Sequence, residues 1–290
     1  MGEFISALFD PQIPFFRYAF LSGIAASVAF GIVGTYVVTR RITYIAGAIS
    51  HCVLGGIGAS LYLRAVMKWD WLNPMYGAVF AALLAALTIG FVSLRAKQRE
   101  DTVIGALWSV GMAVGILFIA KTPGYVDPMS YLFGNILLVS KQDLALVLGL
   151  DALVLVLALL FYNKFLAVCF DEKFARLRGI NVEFYYLLLL CLTALTVVLL
   201  VTVVGIVMVI ALLTLPAAVA GQFSSRLWKM MILSIILSMF FTSAGIALSY
   251  GSDLPSGPVI IVIAGVSYLL SITYKKINTS LRRRNINHGS

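Results

Sequence analysis

Residues 14–66 read PFFRYAFLSGIAASVAFGIVGTYVVTRRITYIAGAISHCVLGGIGASLYLRAV. Two apolar runs, 14–39 and 43–66, flank the basic pair Arg40–Arg41. Each is near the ~20 residues that an α-helix needs to cross a bilayer. Comparable runs recur along the chain at 75–95, 103–120, 144–162, 184–203, 205–221, 230–249 and 258–274. Only 11% of the 290 residues are charged, against about 25% in a soluble domain, and the mean hydropathy is +1.02. A transmembrane β-barrel would show short alternating segments instead of continuous apolar runs. The expected fold is therefore all-α, a polytopic membrane helix bundle of about nine transmembrane helices. The sixth and seventh runs adjoin with almost no connector.

The net charge of +9 is explained by topology and does not point to nucleic acid. With the N-terminus outside, all but five of the 21 basic residues fall at inner loops and ends; the exceptions are Arg17, Arg64, Lys68, Lys121 and Lys141. This is the positive-inside asymmetry, and it orients the chain with its N-terminus out and its C-terminus in the cytosol. Cys52, Cys169 and Cys191 are too few and too scattered for a disulfide framework and read as small buried thiols. The first residues, MGEFISALFDPQIP, lack the basic stretch that precedes the core of a cleavable signal peptide. One membrane domain over residues 1–290 is expected, with a polar, basic cytosolic tail over about 275–290 that frays.

Two segments depart from simple spans. Asp127–Val139, DPMSYLFGNILLV, is too short to cross and lies on the outer side by parity. It is either a turn of helix on the surface or a short helix at the mouth of a pathway, since half-spanning backbone is tolerated only against protein or a water-filled cavity. Asn163–Glu183, NKFLAVCFDEKFARLRGINVE, is the longest inner loop, in which Phe174, Ala175, Leu177 and Ile180 form a narrow apolar face among charges. It serves either as a connector lying on the membrane or as a docking helix for a cytosolic partner.

His51 is the one imidazole at membrane depth, because the other histidine, His288, lies in the tail. Ionisable groups inside spans are costly and mark functional sites by default. Neutral imidazole suits transition metals, zinc better than manganese. The alternative is a hydrogen-bonded packing histidine. Gly47, Gly55 and Gly58 lie on or near its helix face, allowing either close helix approach or an open cavity. Asp151 is the acidic residue placed well inside a span, suited to an interhelical hydrogen bond or to an ion path. Pro216, bracketed by Gly205 and Gly221, reads either as a hinge or as an ordinary proline of a membrane helix. The DLPSGP run at 253–258 reads as a constrained outer turn. No GxxxxGK[ST], HExxH or GxSxG sequence occurs, so the chain carries no ATPase of that kind and no credible hydrolase set.

The ordered pieces RRITYIAGAISHCVLGG, EDTVIGALWSVGMAVG, DPMSYLFGNILLVSKQDL, FDEKFARLRGI, VVGIVMVIALLTLPAAVAG and SDLPSGP run from Arg40 to Pro258. Together they resemble the membrane permease subunits of zinc- and manganese-type ATP-binding-cassette importers. The resemblance implies a permease in the bacterial cytoplasmic membrane that moves zinc or manganese, with iron a further candidate, by alternating access. It implies a second copy of the permease, two cytosolic ATPase subunits that hold the ATP, an extracytoplasmic metal-binding protein and surrounding lipid. No cofactor is expected in this chain beyond the transported ion. Glu172, Ala175 and Gly179 would couple to the ATPase; Tyr131, Phe133 and Asn135 would belong to a short outer gate helix; His51 would lie on the metal route, with Asp151 as a further candidate ligand. Members of the class usually carry GDxxxH, whereas the aspartate position here is Gly47. Related alternatives are a permease for metal chelates or cobalamin-type compounds and, outside the class, an ion-coupled secondary carrier.

Overall fold

Backbone groups in lipid have no water to bond, so each apolar run closes its own hydrogen bonds as helix. The structure, a computed structural model, describes residues 14–95, 100–124, 128–133, 140–252 and 254–287. The described helices are α1 Pro14–Arg40, α2 Thr43–Met67, α3 Pro74–Arg95, α4 Glu100–Lys121, α5 Pro128–Phe133 and α6 Lys141–Leu160. They continue with α7 Tyr162–Phe170, α8 Glu172–Leu177, α9 Val182–Val204, α10 Ile206–Phe223, α11 Leu227–Ser252 and α12 Ser256–Asn287. Among the described residues, α1 to α4 and α9 to α12 are each long and apolar enough to cross a membrane. A further span is formed if α6 and α7 count as one, although they meet at 75°. No strand occurs among the described residues.

The turns follow local chemistry. Arg41 takes the left-handed conformation (φ 63°), and the N–H groups of Arg41 and Ile42 donate to the Val38 and Val37 carbonyls. That closes α1 and starts α2 within two residues. Gly205 alone joins α9 to α10, with φ 83° and ψ 159°, a region that is essentially glycine's own. Pro216 sits inside α10, which runs unbroken past it. Pro216 thus behaves as an ordinary proline of a membrane helix, and the break is at Gly205, where the two adjoining apolar runs meet.

Two expectations change. The inner loop foreseen from residue 163 begins as helix α7, whose Phe165 is fully buried. Phe165 packs edge-on to Tyr36 of α1 at 5.2 Å and to Tyr185 of α9 at 6.2 Å, which is why this stretch folds back under the bundle. The tail foreseen as fraying is instead the continuation of α12 to Asn287, consistent with the good helix propensity of its Lys and Arg residues.

The core lies between two tightly packed groups. On one side, α2 is held between α3 and α4. On the other, α1 runs antiparallel to α11, with Phe16 beside Tyr250 at 5.1 Å near one end and the Thr39 hydroxyl 3.8 Å from the Met230 sulfur near the other. The α9 helix bridges the groups, touching α3, α2 and α1. Glycine lets α2 and α4 meet backbone to backbone: a Cβ on Gly55 would lie 2.9 Å from the Gly111 carbonyl, and one on Gly115 would lie 2.6 Å from Leu54. The glycine-rich face of α2 therefore serves close helix approach and not an open cavity.

Candidate metal route and coupling helix

His51 is buried (9% exposed) in the first half of α2. Its ring stacks on Trp108 of α4, with centroids 4.6 Å apart and planes 24° apart. Trp108 also lies 5.5 Å from the Tyr44 ring. Tyr44, Gly47 and His51 share one face of α2, being spaced by three and four residues. Trp108 covers that face. A Cβ on Gly47 would lie 2.5 and 2.8 Å from the far edge of the indole, so the indole fills the space a side chain there would take. The next residue, Cys52, donates its thiol to the Leu107 carbonyl at 3.2 Å, which ties the backbone beside Trp108 to α2. The His51 Nδ1 is buried without a hydrogen-bond partner, a costly state for a polar nitrogen at this depth. An imidazole with a free nitrogen can lend one lone pair to a passing cation.

Asp151 is also buried, 8% exposed in α6. Its carboxylate accepts the Ala29 N–H of α1 at 3.1 Å, and α6 packs chiefly on α1. The structure gives Asp151 an interhelical partner and does not bring it to His51. No group of three or more His, Cys, Asp or Glu side chains able to hold a metal occurs among the described residues.

At the Arg40 end, α8 is a two-turn helix with well-formed ends. The Asp171 carboxylate caps it by accepting the N–H groups of Lys173 and Phe174 at 2.9 and 3.0 Å. At the other end Ile180 N–H donates to the Ala175 carbonyl and Gly179 N–H to that of Arg176, both 3.0 Å. This is a Schellman stop, with Gly179 at φ 72° supplying the left-handed residue. Glu172 points back into the protein and pairs with Arg40, whose guanidinium lies 5.3 Å over the Tyr186 ring. Ala175 is fully buried. The apolar face foreseen for this segment is therefore split: Ala175 turns inward, while Phe174 (47% exposed) and Leu177 (87%) face out. Phe170 stands exposed beside them, and a cleft of about 690 Å³ opens between Phe170, Phe174 and Ile180.

At the opposite end, α5 packs on α10 and α9. Tyr131 is half-buried there, and burial raises its phenol above the usual tyrosine range, so it remains a neutral hydroxyl. Phe133 is partly exposed, and its carbonyl would lie 2.8 Å from a Cβ on Gly257. The short helix is thus seated under the turn that starts α12. Asn135 lies outside the described residues.

Residues 12–275 match the model of the ABC 3 transport family. The chain belongs to that family. The ABC 3 chain is 42% identical over 258 residues to a Chlamydia pneumoniae protein named "Probable metal transport system membrane protein", covering 89% of this chain and 88% of that one. It is 32% identical over 269 residues to the manganese import system permease protein ScaB of Streptococcus parasanguinis, with 93% of each covered. Among solved structures it resembles a chain of PsaBC from Streptococcus pneumoniae, solved in complex with a Fab. The TM-score is 0.81 and the identity 31%, over 93% of this chain and 94% of that chain. An ABC 3 member of this kind is a multi-pass membrane transport subunit and not itself an enzyme. The sequence marks His51 but not Trp108, although Trp108 stands in one of the quoted pieces. The only available signal was the missing side chain at Gly47, which leaves room for something large.

Proposed function

We propose that the chain is the permease subunit of an ABC importer for divalent transition-metal ions of the manganese and zinc group, with iron a further candidate. The observation that carries the reading is His51, a buried imidazole inside a membrane span, with a nitrogen that has no partner among the described residues. The metal transport named for its relatives agrees with it. A single imidazole holds an ion weakly, which suits a station on a route because an ion bound too tightly does not leave.

The whole chain acts as one permease domain, with a second copy completing the pathway. ATP is bound and hydrolysed on separate cytosolic subunits, and an extracytoplasmic protein delivers the ion. The basic residues at the Arg40 end support a cytosolic C-terminus and an external N-terminus. In this reading α8 is the coupling helix. Phe174 and Leu177 meet the ATPase, while Glu172, Ala175 and Gly179 keep the helix attached and correctly ended. ATP-driven closure of the ATPases then rocks the permeases between outward- and inward-facing states, with Tyr131, Phe133 and Asn135 at the outer gate. Asp151 serves as an interhelical tie.

The test is reconstitution of the permease with its ATPase and binding protein in vesicles. ATP-dependent accumulation of radioactive manganese or zinc is expected. Accumulation that persists without ATP hydrolysis overturns the importer reading in favour of an ion-coupled carrier. His51→Ala is expected to lower uptake at least about tenfold while the assembly still purifies intact; undiminished uptake across a range of metal concentrations removes His51 from the route.

A further inference from the structure

We propose that the cavity at the Arg40 end of the bundle binds the headgroup of an anionic phospholipid, whose acyl chain lies along the outward face of α3. The inference goes beyond the importer reading and takes from it only the side of the membrane that this end faces. The cavity, of about 510 Å³, opens where α1 and α3 end and α2 and α9 begin. It is lined by Arg40 and Arg41 at the α1–α2 turn, Ser93 near the end of α3, Glu172 and Arg176 of α8, and Tyr186 of α9. Three guanidinium groups therefore meet one carboxylate, and Glu172 is already engaged with Arg40. Arg41 and Arg176 are exposed and have no ion-pair partner among the described residues. The Tyr186 hydroxyl donates to that of Ser93 at 3.2 Å, which leaves the Ser93 hydrogen available to an acceptor.

Such a wall suits phosphate oxygens, because guanidinium forks bind phosphate at two points. Its surplus positive charge favours a lipid of net negative charge over one whose own ammonium group cancels its phosphate. A second observation, on α3, points to a lipid and away from a free anion. Leu94, which also lines the cavity, ends a row formed by Phe80, Leu84, Leu87 and Phe91, spaced alternately by four and three residues and so on one helix face. Those four side chains are 48–70% exposed. The row from Phe80 to Leu94 extends about 21 Å along the helix, enough to line one leaflet of a ~30 Å hydrocarbon core. A charged recess and an apolar track thus meet at Leu94, which is the shape of an amphiphile. With the Arg40 end in the cytosol, the lipid comes from the inner leaflet, whose anionic headgroups attract basic segments. Because Arg176 belongs to α8, a headgroup held there also braces that helix against the turn between α1 and α2.

The experiment titrates the purified full chain in detergent with dioleoyl phosphatidylglycerol, dioleoyl phosphatidylcholine or inorganic phosphate, and reads retained ligand by native mass spectrometry. Phosphatidylglycerol is expected to be retained at about tenfold lower concentration than phosphatidylcholine. R41N/R176Q is expected to lose that preference; asparagine is chosen because it tolerates the left-handed backbone at position 41. R41N and R176Q singly are each expected to lower the preference, so the double variant need not fold for the test to decide. R41K/R176K, which keeps the charge, is expected to hold part of it. L87S/F91S is expected to weaken retention of both lipids while leaving their ratio unchanged. Equal retention of the two lipids by wild type, or an undiminished preference in the arginine variants, overturns the proposal. Inorganic phosphate that displaces phosphatidylglycerol at equal concentration also overturns it, giving the cavity to a free anion. Arginine variants that keep the lipid preference but no longer purify with the ATPase give the cavity to an acidic side chain of that partner, and overturn it too. None of these measurements uses transport, so the importer reading and this inference stand or fall separately.

Discussion

His51 and Asp151 are both buried polar side chains at membrane depth, yet their surroundings assign them different work. Asp151 has a partner, the Ala29 N–H, on a neighbouring helix. Interhelical hydrogen bonds in membranes contribute about 0.6 kcal/mol on average and rarely above about 1.7. Asp151→Asn keeps an acceptor in the same place, so it is expected to cost no more than about 1 kcal/mol and to leave uptake near normal. Loss of transport with preserved thermal stability would instead move Asp151 onto the ion path. His51 has an aromatic lid on one face and a buried nitrogen without a partner among the described residues. Arg40 and Glu172 illustrate a third case. Their side chains are 21% and 37% exposed, so solvent screens the pair and its worth falls toward the 0–1 kcal/mol typical of surface pairs. Its value is geometric: it fixes the start of α8 to the turn from which α2 departs.

At the scale of helices, α8 separates attachment from recognition. Ala175 and Glu172 hold it to the bundle, and Leu177 stands almost free. Leu177→Asp is expected to leave the isolated permease as stable as wild type while weakening its association with the ATPase and its coupled uptake, both read on the purified assembly. Unaltered association would place the docking surface elsewhere. The α2–α4 interface carries the opposite kind of prediction. Gly115→Leu forces a branched side chain against the Leu54 backbone, and overpacking of this sort costs about 1–3 kcal/mol. A lower melting temperature in detergent is the expected result, and an unchanged one would mean that the helices part without penalty. The spans themselves were legible from hydropathy, because lipid dictates that long apolar runs be helices. The one-residue junction at Gly205 was legible as a boundary, since no connector separated the runs. The bend between α6 and α7 was hidden, because it is made by Phe165 finding Tyr36 and Tyr185, residues far away in the chain. The lid over His51 was hidden for the same reason: Gly47 recorded an absence, and only packing shows what fills it. The inward turn of Ala175 likewise depends on where the bundle lies relative to α8, which periodicity alone does not specify.

Across the whole molecule, the helices divide into a group built around α2 and another built around α1 and α11, with α9 between them. A transporter that rocks needs such a division, since motion confined to one packed block would have to break its core. The long α4 is held mainly by α2, and only 17% of its apolar window is buried within the chain. Much of its surface is therefore left for lipid or a second copy. Two other helices have a consequence for the membrane itself. The apolar part of α6, Leu144–Leu160, ends at the bend and spans only about 25 Å at 1.5 Å per residue. The 18 residues of α10 span about 27 Å, against a hydrocarbon core of about 30 Å. Both lie at the short end of helices that cross a bilayer, so lipid facing them is accommodated by slight local thinning, at a cost of fractions of a kcal/mol for each ångström of mismatch. Vesicles made from lipids with progressively longer acyl chains are expected to lower ATP-driven uptake at constant protein content, and a rate indifferent to chain length would show that no such mismatch is felt. The composition of the membrane then becomes a control on transport rate, exerted through thickness and without any binding site.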